Sequence, residues 1–142
     1  DSSEFTISIE STVTVNDSKY FVRVRDFGDS KDTLFLRINS EKEVIVNYGG
    51  KDFLYVDFNR EIGEEWNSYD KYYAKVNRRG IADTVPAAVI TNGVEIFFDN
   101  TLVSDLYEFQ IYAEGLGLVK STGFRRNYLL KSAVINGAVY PK

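Results

Sequence analysis

The chain has no histidine, no cysteine, no methionine and only two prolines. Without His or Cys there is no Ser-His-Asp or Cys-His catalytic pair, no zinc-finger ligand set and no imidazole-held metal, which removes most common hydrolases. The lack of Cys also excludes structural disulfides and thiol chemistry, although it does not identify a compartment. Without Met the chain begins at Asp1 with no initiator, as a processed export product or a domain cut from a larger protein would. No run approaches the roughly 18 apolar residues that a membrane-spanning helix needs, so the chain reads as soluble. Basic residues are also too few to neutralise a phosphate backbone: 17 Lys and Arg stand against 21 Asp and Glu, and nucleic acid is not an expected partner.

What the chain does have is apolar and aromatic: 44% of its residues are hydrophobic and 15% are aromatic, almost all of them Tyr and Phe. With many Val, Ile and Thr, this composition suits half-buried pleated strands better than helices. At 142 residues, one domain over 1–142 can bury a core without disulfides or metal.

A period of two recurs along the chain. From Phe5 to Val15, Phe5, Ile7, Ile9, Val13 and Val15 share one face, and Thr and Ser dominate the other. Asn16-Asp17-Ser18 supplies a turn into YFVRVR (20–25), where Arg23 and Arg25 lie on the face opposite Val22 and Val24. Strand patterns follow at 34–38, 44–47 and 53–58, with Gly49-Gly50 marking a tight turn. The charged segment 59–67, which holds the sole Trp, reads as a connection with room for one helical turn. A strand is expected over 69–76, a loop around Gly80, and another strand over 85–91 with Pro86 at its start or on an edge. Asn92-Gly93, between VIT and VEIFF, is the strongest local hairpin signal. Runs at 106–113, 117–120 and 127–135 complete roughly ten strands in meander order, with at most one or two short helices. The expectation is an all-β antiparallel meander curled into an open barrel or half-barrel.

Little in this pattern resembles catalysis. Asp99, Asn100, Thr101 and Asp105 lack the Gly and terminal Glu of a calcium loop and read as a solvated turn, so no metal is expected. Glu64 and Glu65 are neighbours that an extended segment would point apart, Glu95 and Glu108 read as wet-face positions, and Arg125-Arg126 as a loop tip. No catalytic residues and no cofactor are assigned. Aromatics remain as candidate ligand contacts: Trp66, Tyr69, Tyr72, Tyr73 and Tyr112.

Three segments stand out together: Gly63-Glu64-Glu65-Trp66, Val85-Pro86-Ala87, and YAEGLGLVK from Tyr112 to Lys120 with Gly115 and Gly117. They resemble motifs (G-x-x-W, V-P-A-G-x-F and Y-A-x-G-V-G-L-V-K) of a broad group of uncharacterised exported bacterial proteins and lipoproteins common in Bacteroidetes. Leu116, Ala88 and Ile90 depart from that pattern. In that group the strand runs on through the position of Asn92, which a bulge at Gly93 would reconcile with the local turn signal. The resemblance implies an antiparallel β-domain similar to the open barrels of periplasmic lipoprotein carriers, located in the periplasm, at the cell surface or secreted.

The expected function is therefore non-enzymatic binding of an apolar small molecule, lipid or protein partner on a curved sheet. The rivals are glycan binding by stacking on Trp66 and the tyrosines, and a structural or assembly role within an envelope protein. The glycines of YAEGLGLVK do not open a helix, so they read as a bend with positive φ rather than a phosphate loop.

Overall fold

A computed structural model describes residues 2–124 and 126–142. Its described residues form twelve strands and no helix. The first five are β1 (Ser3–Val15), β2 (Ser18–Asp26), β3 (Lys31–Ile38), β4 (Val44–Tyr48) and β5 (Lys51–Val56). There follow β6 (Glu65–Asn67), β7 (Tyr72–Val85), β8 (Ala88–Asn100), β9 (Tyr107–Ala113), β10 (Gly117–Gly123), β11 (Arg126–Ile135) and β12 (Ala138–Tyr140).

All twelve belong to one sheet, ordered β5-β4-β3-β2-β1-β11-β10-β9-β8-β7-β6, with β12 paired to β11. Two antiparallel meanders are thus joined where β1 lies parallel to β11. This parallel seam corrects the expectation of a single meander, because alternation along a strand says which face is buried but not which strand lies beside it. The sheet curls into an all-β barrel that is nearly closed. Its two end strands, β5 and β6, are not laddered to each other but meet through side chains. The buried Trp66 indole N–H donates to the Tyr55 carbonyl at 3.1 Å, and the Tyr55 ring stacks on Phe98 at 5.3 Å. The charged segment before Trp66 contains no helical turn; it ends in the short strand β6.

Turn chemistry sets several of the hairpins. Asn16-Asp17, Gly49-Gly50, Asp70-Lys71 and Asn136-Gly137 each place two successive residues at positive φ, the conformation whose twist matches a two-residue hairpin. The Asp70-Lys71 turn moves the start of the expected 69–76 strand to Tyr72, and the strand runs on to Val85.

Three expectations fail between residues 76 and 100. Gly80 is not in a loop but inside β7, where its φ of +66° marks a bulge flanked by register shifts. Pro86 sits in the β7–β8 turn with Ala87, rather than opening a strand. Asn92-Gly93 makes no hairpin turn, because β8 runs straight through it. The register slips beside it, from Ile81↔Gly93 to Asp83↔Ile90, so the ladder takes up the pair as a bulge. Gly93 is buried, and a Cβ there would stand 2.9 Å from Ile90 Cγ2 and 3.3 Å from Ile111 Cγ2. The glycine therefore serves a close approach between strands rather than a turn.

Two apolar clusters fill the molecule. One joins Leu34, Leu36, Val46 and Tyr55 to Trp66, Val76, Ile96 and Phe98, across the line where the sheet ends meet. The other packs the distal half of the β7–β8 hairpin, through Val85, Ala87 and Ile90, against Ile111, Val119 and Leu130. The Ala87 N–H donates to the Leu130 carbonyl at 3.0 Å, and Lys120 reaches Asp83 at 3.5 Å. Each fully buried Val, Leu or Ile contributes about 1.5–3 kcal/mol relative to exposure.

Candidate functional site

The middle of the barrel is crossed by polar side chains, and their source overturns the simplest reading of YFVRVR. The alternation of β2 is as expected, but the arginine face is the one turned inward. Arg23 is 4% exposed and Arg25 7%, while Val22 and Val24 are only partly covered on the outside. Phe21, Arg23 and Arg25 all line interior space.

Arg25 is fully engaged. Its Nε donates to Asp32 at 2.8 Å, a second N–H completes a fork on the same carboxylate, and Nη1 donates to Glu108 at 2.6 Å. The Ser121 hydroxyl also donates to Glu108. Burial pushes the Glu108 carboxyl up, but the Arg25 charge and the hydrogen bonds outweigh it and hold it below the ordinary value of 4.5. Burial likewise lowers Arg25, and Glu108 and Asp32 more than reverse this, so its guanidinium stays charged. Glu108 is therefore an interior ion-pair partner, not a wet-face residue. Glu95 is not one either: at 6% exposure it accepts from Asn77 at 2.6 Å and from Arg78 at 2.9 Å.

Arg23 is placed differently. Nη2 donates to the Tyr55 hydroxyl at 3.1 Å, and the guanidinium lies 5.5 Å from the Tyr55 ring centroid. The same hydroxyl accepts from Gln110 Nε2 at 3.1 Å, and the Tyr112 hydroxyl donates to Gln110 Oε1. Arg23 Nε has no hydrogen-bond partner, and no carboxylate among the described residues pairs with Arg23. Burial pushes the Tyr112 phenol well above its usual range.

This belt separates two chambers. Toward the end of the barrel that carries the Ala113–Gly117 turn, a cavity of about 470 Å³ is walled by Ile7, Ile9, Phe21, Leu36, Val56 and Leu118. Arg23, Tyr55 and Tyr112 form its polar floor, and Gly115, Leu116 and Phe58 lie at its rim. Toward the other end, a cavity of about 490 Å³ is lined by Arg25, Asp32, Glu108 and Ser121, with Phe27 and Tyr128. Both volumes are in the range of small-molecule sites, about 300–1,000 Å³. Only the first combines mostly apolar walls with a few convergent polar groups, which is the usual make-up of such a site.

The five aromatic residues picked out by sequence do not form one surface. Tyr112 lines the apolar chamber and Tyr72 the polar one. Trp66 is 7% exposed within the core, so it offers no stacking platform to a sugar. Tyr69 packs among Tyr48, Tyr55 and Tyr72. Tyr73 bonds Asp99 and meets Phe97 edge-on, on the outer face with Phe109 and Tyr107.

The motif residues hold geometry. Gly63 has φ +92° and donates to the Val76 carbonyl at 2.8 Å. Gly115 and Gly117 have φ +79° and +97°, which turn the chain from β9 into β10 as the sequence suggests. The same turn borders the chamber. Asn100 Oδ1 caps the N–H groups of Leu102 and Val103, and the described residues contain no cluster of carboxylates able to hold a metal. Arg125 lies outside the described residues, and Arg126 opens β11 as an exposed side chain.

Sequence reasoning missed Arg23, Tyr55 and Gln110. The only available signal was two arginines in register with the flanking aromatics Phe21 and Phe27, on a strand whose other face carries Tyr20, Val22, Val24 and Asp26. No family model, no curated protein and no solved structure matches the chain.

Proposed function

We propose that the protein is a non-enzymatic binding domain that holds an apolar or amphipathic small molecule in the chamber between Ile7, Leu36 and Leu118. The observation that carries this reading is the chamber itself: about 470 Å³ with mostly apolar walls, on a scaffold whose end strands are held together by the Trp66–Tyr55 contact. An apolar volume of this size left to water forgoes dispersion contacts on every wall, and an apolar ligand restores them. A binding role without chemistry is supported by the engagement of Asp32 and Glu108, the carboxylates that line the polar chamber beside Arg25, in ion pairs with it. Neither is left free to act as a general base. The YAEGLGLVK segment borders the chamber, and its resemblance to exported bacterial β-proteins favours the periplasm or cell surface as the setting.

A direct test uses a neutral naphthylamine dye that fluoresces in apolar surroundings, together with 1-dodecanol below its solubility limit. The expected result is saturable dye fluorescence at one site, displaced by dodecanol, with a one-to-one dodecanol adduct in native mass spectrometry. Leu116→Trp at the rim should weaken both without lowering Tm. Dye and alcohol that neither bind nor shift the melting curve of the wild-type chain would remove this reading.

A further inference from the structure

We infer that the chamber selects an anionic amphiphile, with the acid head on Arg23 and the apolar tail along Ile7, Leu36 and Leu118. The inference rests on the binding function proposed above and specifies the ligand's chemical class.

Burying a cation is costly unless a carboxylate or a full set of hydrogen bonds compensates it. The belt contains two arginines and two carboxylates, but they are unevenly shared: Asp32 and Glu108 both bind Arg25, on the side of the polar chamber. Arg23 is as deeply buried, carries no carboxylate, and has one hydrogen bond, to a neutral phenol. Its Nε is unpartnered. Burial and the nearby Arg25 both oppose its charge, and the Tyr55 and Tyr112 phenols beside it outweigh them, so the guanidinium stays charged with only neutral partners. Among the described residues that line the apolar chamber, the single acid is Glu114, an exposed residue of the rim turn.

The surroundings of Arg23 suit one kind of occupant. The Tyr55 and Tyr112 hydroxyls are committed to the Arg23–Gln110 chain and hold the guanidinium in place at the chamber floor. Above it the walls are aliphatic and aromatic up to Leu116 and Phe58 at the rim. A carboxylate on a hydrocarbon tail supplies the missing counter-charge and fills the apolar volume in one molecule. A neutral amphiphile supplies only the second, and a cationic one adds a like charge beside Arg23. Guanidinium and carboxylate are matched in shape, and hydrogen bonds between ionised partners are the strong ones.

The experiment compares dodecanoate, 1-dodecanol and dodecyltrimethylammonium, all below micelle formation, by displacement of the neutral dye from the full chain at pH 8. Dodecanoate is expected to bind at least about tenfold more tightly than dodecanol, the ratio supported by one charge-assisted hydrogen bond. The ammonium compound is expected to bind most weakly. Arg23→Gln should bring the carboxylate-to-alcohol ratio near one while dodecanol still displaces the dye, and Arg23→Lys should keep part of the preference. Equal affinity of the wild-type chain for acid and alcohol, or a preference for the ammonium compound, overturns the inference and leaves the binding function standing. So does a carboxylate preference that survives in Arg23→Gln. Failure of all three compounds to displace the dye overturns the inference, and failure of the dye itself to bind removes the binding function with it. The head-group comparison in the wild-type chain decides the matter even where a variant does not fold.

Discussion

Arg25 and Glu108 show how much of this interior depends on charge pairing. Replacing Arg25 with Met removes the partner of two carboxylates at once and leaves Glu108 inside the barrel without its cation. Such an unpaired buried charge costs about 3–5 kcal/mol, so Arg25→Met is expected to show a clearly lower midpoint in urea unfolding at neutral pH. The pH dependence follows from the direction of the Glu108 shift. Its folded pKa lies below the ordinary 4.5, so its stabilisation is complete above that value and disappears as pH falls through the folded value. Thermal melts taken between about pH 6 and pH 3 should show Tm falling on the acid side, and Glu108→Gln should flatten that slope. A variant with an unchanged slope would show that other carboxylates carry the acid sensitivity. At this scale the sequence was half legible. Arg23 and Arg25 alternate with Val22 and Val24 in plain view, yet a period of two is symmetric between the faces, and only Glu108 and Tyr55 across the interior, with Asp32 on the neighbouring strand, decide that the arginines go in.

Among the elements, the β7–β8 hairpin carries the clearest conflict between local and long-range preference. Asn92-Gly93 is an excellent turn pair, but turning there would leave two short strands, whereas turning at Pro86-Ala87 pairs Tyr72–Val85 with Ala88–Asn100 along most of their length. Longer pairing also carries Val85, Ala87 and Ile90 onto β11, where they are buried. Gly93 then works as a spacer, and Gly93→Val should overpack the gap to Ile90 and Ile111 at a cost of about 1–3 kcal/mol, visible as a Tm several degrees lower. Gly93→Ala should cost less. If the Val variant melts with the wild type, the close approach is not what holds glycine at this position. The Ala113–Gly117 turn, by contrast, was legible: Gly115 and Gly117 adopt the positive φ values that their residue type invites. That the turn also forms the rim of a chamber could not be read locally, because the opposite walls come from β1, β2, β3 and β5.

For the whole molecule, β1 is the keystone. It joins the β2–β5 meander on one side to β11 on the other, through the parallel pairing in the sheet. Neither meander closes a core alone, since the cluster around Trp66 draws residues from both. Deleting residues 3–15 should therefore abolish the cooperative unfolding transition in calorimetry rather than leave a smaller folded remnant; a remnant with its own sharp transition would disprove this. Folding should also be slow for a chain of this size, in milliseconds to seconds, because the β1–β11 contact closes a loop of more than a hundred residues before any seam forms.

The all-β class, the hairpin turns at Asn16-Asp17 and Gly49-Gly50, and the bend at Gly115–Gly117 were all determined by the sequence alone. Each depends on dihedral preferences and alternation within a few residues. Tertiary structure decided the parallel β1–β11 pairing, the inward face of β2, the passage of β8 through Asn92-Gly93 and the chamber over Arg23. Those outcomes depend on which distant groups meet, and on the energy of burying charge and apolar surface together, and no local pattern encodes either.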